Sequence, residues 1–134
     1  MRRGFVMTAL AALVGLGLSC GKDGTGSVAG NLSVQLTSPN SGADSAIVFT
    51  ITSPAPLTSA AAGVGLRLFA QPLTGTATRF VLTGRLTTNT TILTIGVADV
   101  NAASQYSGTI QGIAQPNFAL RLVPFTGYTL TFIR

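Results

Sequence analysis

The chain has no histidine, no glutamate and no tryptophan, and its single cysteine is Cys20. Its only lysine is Lys22, and its only acids are Asp23, Asp44 and Asp99. These gaps narrow the available chemistry. General acid–base catalysis draws mostly on His, Glu, Asp and Lys at tuned pKa. A Ser or Thr nucleophile needs such a neighbour to activate it. Past Lys22 and Asp23, only Asp44 and Asp99 are left as general bases near neutral pH. A glycosidase would need both carboxylates at one site, yet each falls in a separate turn. We therefore expect no catalytic residues and no enzyme. Zinc has no Cys/His ligand set to bind. Calcium wants six to eight oxygens. Asp99 and Asn101 are candidate metal ligands at alternate positions, and folding back onto turn amides is the competing role for both. No cofactor is expected from this residue set.

Charge is scarce as well. Charged residues are 8% of the chain, against about 25% in an average globular protein. Polarity must come from Thr, Ser, Asn, Gln and Gly, as in exported β-proteins. The formal net charge is +5. Setting Arg2 and Arg3 aside leaves 6 basic against 3 acidic groups, or +3. Arg67, Arg79, Arg85, Arg121 and Arg134 are scattered, whereas nucleic-acid binding wants a clustered patch, so no nucleic-acid partner is expected. With one cysteine no disulfide can form within the chain. The fold must rest on its core and its strand ladders, which roughly a hundred residues can supply.

The N-terminal stretch is informative. Arg2 and Arg3 precede an apolar run from Phe5 to Leu18, interrupted only by Thr8 and glycines. The run is short of the about 20 residues of a membrane-spanning helix and fits an export signal. It ends at Leu16-Gly17-Leu18-Ser19-Cys20, which resembles the lipobox of bacterial lipoproteins. Gly17 stands where that family usually has Leu, and Leu18 where it has a small residue. The resemblance implies cleavage between Ser19 and Cys20, lipidation of Cys20, and a signal peptide over residues 1–19. Gly21 after the cysteine implies outer-membrane sorting within the bacterial envelope. Residues 20–30, GKDGTGSVAG after Cys20, read as a flexible tether.

From residue 31 to 134 the pattern is all-β. Leu32, Val34 and Leu36 alternate with polar residues, as a strand with one buried face does. Ser38–Asp44 holds the Pro, Asn and Gly of a turn. Residues 46–52 are apolar on both faces, as in a strand well inside a sheet, and are expected to pair with 31–37. Pro54 and Pro56 make 53–63 a loop, with a helical turn at 59–62. Further strands are predicted over 64–70, 78–83, 91–97, 106–114, 118–123 and 127–133, with a loop or short helical turn over 99–105. Seven or eight short strands of this spacing predict a sandwich of two antiparallel sheets, either immunoglobulin-like or a jelly roll.

The stretch 84–114 has a Gly-Arg-Leu turn, then ILTIGVADVN, then a Tyr-led strand ending Ile-Gln-Gly-Ile-Ala. It resembles the later strands of cohesin-like and related immunoglobulin-like bacterial surface domains. That resemblance implies a docking or scaffolding β-sandwich. Candidate binding residues are Asn40 and Asp44 in the first turn and Phe69, which falls opposite Leu66 and Leu68. Phe80, Phe118 and Phe125 are further candidates for stacking on a glycan. Tyr106 is expected to tie its hydroxyl to the Asn101–Ser104 backbone. The expected function is a membrane-anchored, non-enzymatic envelope lipoprotein that binds or scaffolds a protein or glycan partner. The alternative is a structural subunit that polymerises through its sheet edges, since few charges guard them.

Overall fold

The computed structural model describes residues 26–134. The signal-peptide reading, the Ser19/Cys20 cleavage site and Cys20 itself lie outside the described residues. Among those residues the protein is an all-β sandwich of two antiparallel four-stranded sheets. The strands are β1 Gly30–Thr37, β2 Asp44–Thr52, β3 Ser59–Ala62, β4 Arg67–Thr74, β5 Ala77–Leu86, β6 Thr90–Val97, β7 Ser107–Ala114 and β8 Thr129–Ile133. A 3-10 helix, η1, covers Val100–Gln105 between β6 and β7. One sheet has the order β3-β6-β1-β8 and the other β4-β5-β2-β7.

Period-2 alternation builds the core. Leu32, Val34 and Leu36 of β1 and Leu93, Ile95 and Val97 of β6 point inward from the first sheet. Ile47, Phe49 and Ile51 of β2 and Phe80, Leu82 and Leu86 of β5 meet them from the second. Phe49 and Phe80 sit on neighbouring strands with ring centroids 5.7 Å apart. The outward face of the second sheet is polar: Gln111 Oε1 accepts from Thr50 Oγ1 at 2.9 Å and from Arg79 Nε at 3.2 Å.

Several sequence expectations need correction. β1 and β2 do not pair. β1 lies between β6 and β8, and β2 between β5 and β7, so the turn joining them crosses from one sheet to the other. Residues 59–62 form an edge strand instead of a helical turn. Ser59 pairs with Gly96, where a Cβ would collide with the Ser59 and Thr58 hydroxyls, so only glycine lets this edge approach. Residues 118–123 form no strand. Phe118 has φ of +67°, a left-handed conformation that breaks an extended run, and only a single bridge joins Leu120 to Ala114. β4 starts later and ends later than predicted, carrying Pro72 on an outer strand where its missing N–H costs nothing. The end of the proposed tether is docked: Val28 donates its N–H to Asp99 and accepts from the Val100 N–H.

The registers give the sandwich two distinct ends. Gly30 pairs with Val97 and Thr37 with Thr129. The end where β1 begins therefore carries Val97, η1 and the C-terminus. We call it the near end. The far end lies about 26 Å away along β1, from eight residues at about 3.3 Å each. It carries the β1–β2 turn, the start of β2, the β5–β6 turn and the long connection between β7 and β8.

Candidate functional site

Asp44 opens β2 at the far end and is 1% exposed. A buried carboxylate is tolerated only when its oxygens are paired, and both are. Oδ1 accepts from Arg121 Nε at 2.7 Å, and Oδ2 accepts from the Tyr128 hydroxyl at 2.5 Å. That hydroxyl in turn accepts from Asn40 Nδ2 at 2.7 Å. One carboxylate thus ties the β1–β2 turn to both limbs of the β7–β8 connection. The hydrogen bond that Arg121 donates to Asp44 raises the Arg121 pKa above the ordinary arginine value, while burial works in the opposite sense. Arg121 is a fixed cation here.

Local sequence explains how the parts meet. The Asn40 N–H donates to Ser38 Oγ at 3.0 Å, and the Ala43 N–H donates to the Asn40 carbonyl at 2.9 Å. The turn therefore closes on itself and aims the Asn40 amide inward. Gly127 takes φ of +84°, and a Cβ there would press on Pro39 at 3.2 Å. The backbone can thus reverse against the turn and deliver Tyr128. The Arg121 N–H donates to the Ile113 carbonyl at 2.8 Å, which holds the guanidinium over the end of β7.

Of the residues singled out from sequence, Asn40 and Asp44 belong to this one network, joined through Tyr128. Asp99 and Asn101 lie at the near end. Asp99 Oδ1 accepts from the N–H groups of Val28 at 3.2 Å and Asn101 at 3.0 Å, capping η1. Asn101 Oδ1 accepts from Arg134 Nη1 at 2.7 Å. The two carboxylates are therefore a sandwich length apart, and neither can assist the other. Among the described residues no three His, Cys, Asp or Glu side chains cluster as a metal site would need. Phe69 stands half exposed in the middle of the outer strand β4. Phe80 is core, Phe125 packs partly against the core, and Phe118 is 90% exposed. Tyr106 is buried near the Phe132 ring, 6.3 Å between centroids. Its expected hydroxyl bond to the 101–104 backbone is not formed; only its N–H reaches back, to Ala103.

Arg121 and Tyr128 were not legible as partners of Asp44. Arg121 reads as one scattered surface charge, and Tyr128 as one residue on a strand face. The signal was a lone cation inside the apolar stretch LRLVPF, which needs a partner if its neighbours pack.

Among the described residues two shallow grooves hold about 430 Å³ each. One runs between the edge strands β7 and β8, past Ile110, Phe125, Tyr128 and Leu130. The other lies at the far end beside Val64, Leu66, Arg85 and Asn89. Neither is lined by a carboxylate, thiol or imidazole. Among the described residues no helix is long and apolar enough to cross a membrane. No protein-family model matches the chain, and a search of curated proteins finds no similar sequence.

Proposed function

We propose that this chain is a non-enzymatic lipoprotein of the bacterial cell envelope. Its β-sandwich, of the immunoglobulin-like or cohesin-like kind, serves as a binding or scaffolding module for an envelope protein or glycan. The observation that carries this reading is Cys20, the only thiol in the chain, at the junction of a basic apolar leader and a polar glycine-rich stretch. The engagement of both folded carboxylates supports it. Asp44 is held by Arg121 and Tyr128, and Asp99 by two backbone N–H groups. A proton-transfer role would require one of them to give up those bonds. Two or more acyl chains on Cys20, at about 0.8 kcal/mol per buried CH₂, would hold the protein durably on a bilayer.

Intact mass of the native mature protein tests the anchor. The expected result is an N-terminal Cys20 carrying diacylglyceryl and acyl groups, with the protein in the detergent phase. An unmodified thiol on a protein that washes free would overturn it. Steady turnover of any substrate, lost in an Asp44→Asn or Asp99→Asn variant that still folds, would overturn the non-enzymatic part.

The second reading, assembly through sheet edges, draws on β7, an outer strand with no charged residue along its length. Two features oppose it. The Ala119–Arg121 segment pairs with the far-end part of that edge, and Pro72 interrupts the other long edge, β4. Size-exclusion chromatography separates the readings: a monomer supports the module, and large species support the polymer.

A further inference from the structure

We propose that the far end of the sandwich docks on an anionic bilayer, with the apolar side chains of the loop 118–123 reaching into the headgroup–acyl boundary. Phe118, Leu120, Leu122 and Val123 are 73 to 90% exposed on this one loop. Val64, fully exposed, lies at the same end. Among the described residues, large apolar side chains elsewhere on the surface reach at most 56% exposure. Such concentration of protruding apolar groups marks an interaction site.

Three observations favour lipid over a protein partner. The side chains stand out from a loop tip instead of lining a cup or a flat face. A stable protein interface needs about 800 Å² per partner, which a six-residue tip does not offer. Second, the charge at this end of the sandwich is complementary to anionic headgroups. Arg67 and Arg85 are exposed at this end by register with Thr83 and Asp44–Leu86, and Asp44, the only acid there among the described residues, is buried and already paired. Third, the backbone that carries these side chains is held in place: the N–H groups of Gln115, Phe118, Ala119, Arg121 and Thr126 donate within the connection or to β7, so the apolar side chains project from a fixed support. The Asp44–Arg121 pair fixes the base of the loop, so the apolar residues on either side of Arg121 face outward.

This contact does not depend on Cys20. Among the described residues the fully buried core lies between Leu32 and Ile113, so residues 26–134 can be tested without the leader. Cosedimentation of that domain with phosphatidylglycerol–phosphatidylcholine vesicles, and with phosphatidylcholine alone, is the experiment. Strong partition to the anionic vesicles and weak partition to the neutral ones is expected. Phe118→Ser and Leu122→Ser each remove one inserted side chain and should lower partition about tenfold or more. Arg67→Gln and Arg85→Gln should each lower it about fivefold on anionic vesicles only. Failure of the parent domain to sediment, or Ser variants that bind like the parent, would overturn the proposal. Concentration-dependent dimers abolished by Leu122→Ser, without vesicle binding, would overturn it by assigning the loop to a second copy of the chain.

Discussion

The two ends of the sandwich use one carboxylate each, and use it differently. At the far end Asp44 is buried and holds two segments that are 77 and 84 residues away in sequence. At the near end Asp99 is solvent-accessible and organises its own turn and the chain entering β1. A buried charge that loses its partners costs several kcal/mol, whereas an exposed cap contributes about one. The far end should therefore respond to single substitutions as a tertiary junction, and the near end as a local cap. Among the described residues the far end has no second ion pair to take over, and the near-end carboxylate is held by backbone N–H groups alone.

The sharpest way to break this contrast is Asp44→Ala. It leaves the Tyr128 hydroxyl and the half-buried Arg121 without their acceptor. We expect a loss of about 3 kcal/mol, read as a lower urea midpoint with unchanged slope. Loss of less than about 1 kcal/mol would mean that the junction is solvated and the two ends are alike. Tyr128→Phe comes next. It keeps the ring but removes the shortest bond to the carboxylate and the acceptor for Asn40, with an expected cost of about 1.5–2 kcal/mol. In a double-mutant cycle Asp44→Ala and Tyr128→Phe should be strongly non-additive. Simple addition would show that the tyrosine and the aspartate act independently.

The same contrast explains what was legible in the sequence. Strand existence was written in alternation: Leu32-Val34-Leu36, Leu93-Ile95-Val97 and Tyr128-Leu130-Phe132 all turn one face to the core. Sheet membership was not, because only β4 and β5 form a hairpin within one sheet. Every other connection crosses the sandwich, and alternation says nothing of which sheet a strand joins. Residues 59–62 and 118–123 were exchanged for a related reason. Four small residues can line an edge without any pattern, and an alternating apolar run can face solvent when a buried ion pair claims its one cation. Asn40 and Asp44 were visible as a polar turn. Their partners were not, since no local spacing connects residue 44 with 121 and 128. The near end was easier to read only where it is local: Asp99 accepts from the Asn101 N–H two residues on, whereas its bond from Val28 and the bond from Arg134 to the Asn101 side chain span distant residues and had no local signal.

Asp99→Ala sharpens the other side of the comparison. It removes the acceptor for the Asn101 and Val28 N–H groups, and the expected cost is about 1 kcal/mol. The effect should be local. Hydrogen exchange should quicken at Val28 and Asn101 and stay unchanged at Arg121. Faster exchange at the far end would contradict the independence of the two ends.

The smallest effect at neutral pH, and the most specific, concerns Tyr106. It sits at the near end, and its pKa is raised above the ordinary value of 10.0, first by burial and then by the negative charge of Asp99. The folded protein therefore holds this phenolic proton more tightly than the unfolded chain does. The associated stability is fully present below pH 10 and is lost as pH rises through the folded-state value. Tyr106→Phe should leave the urea midpoint nearly unchanged at pH 7 and flatten the alkaline limb of the stability curve. Asp99→Ala should move the Tyr106 titration down only in part, because burial remains. If Asp99→Ala instead returned it fully to the ordinary value, charge would be the main cause. The near-end carboxylate would then act through its field as much as through its hydrogen bonds, and the line drawn between a buried junction and an exposed cap would have to move.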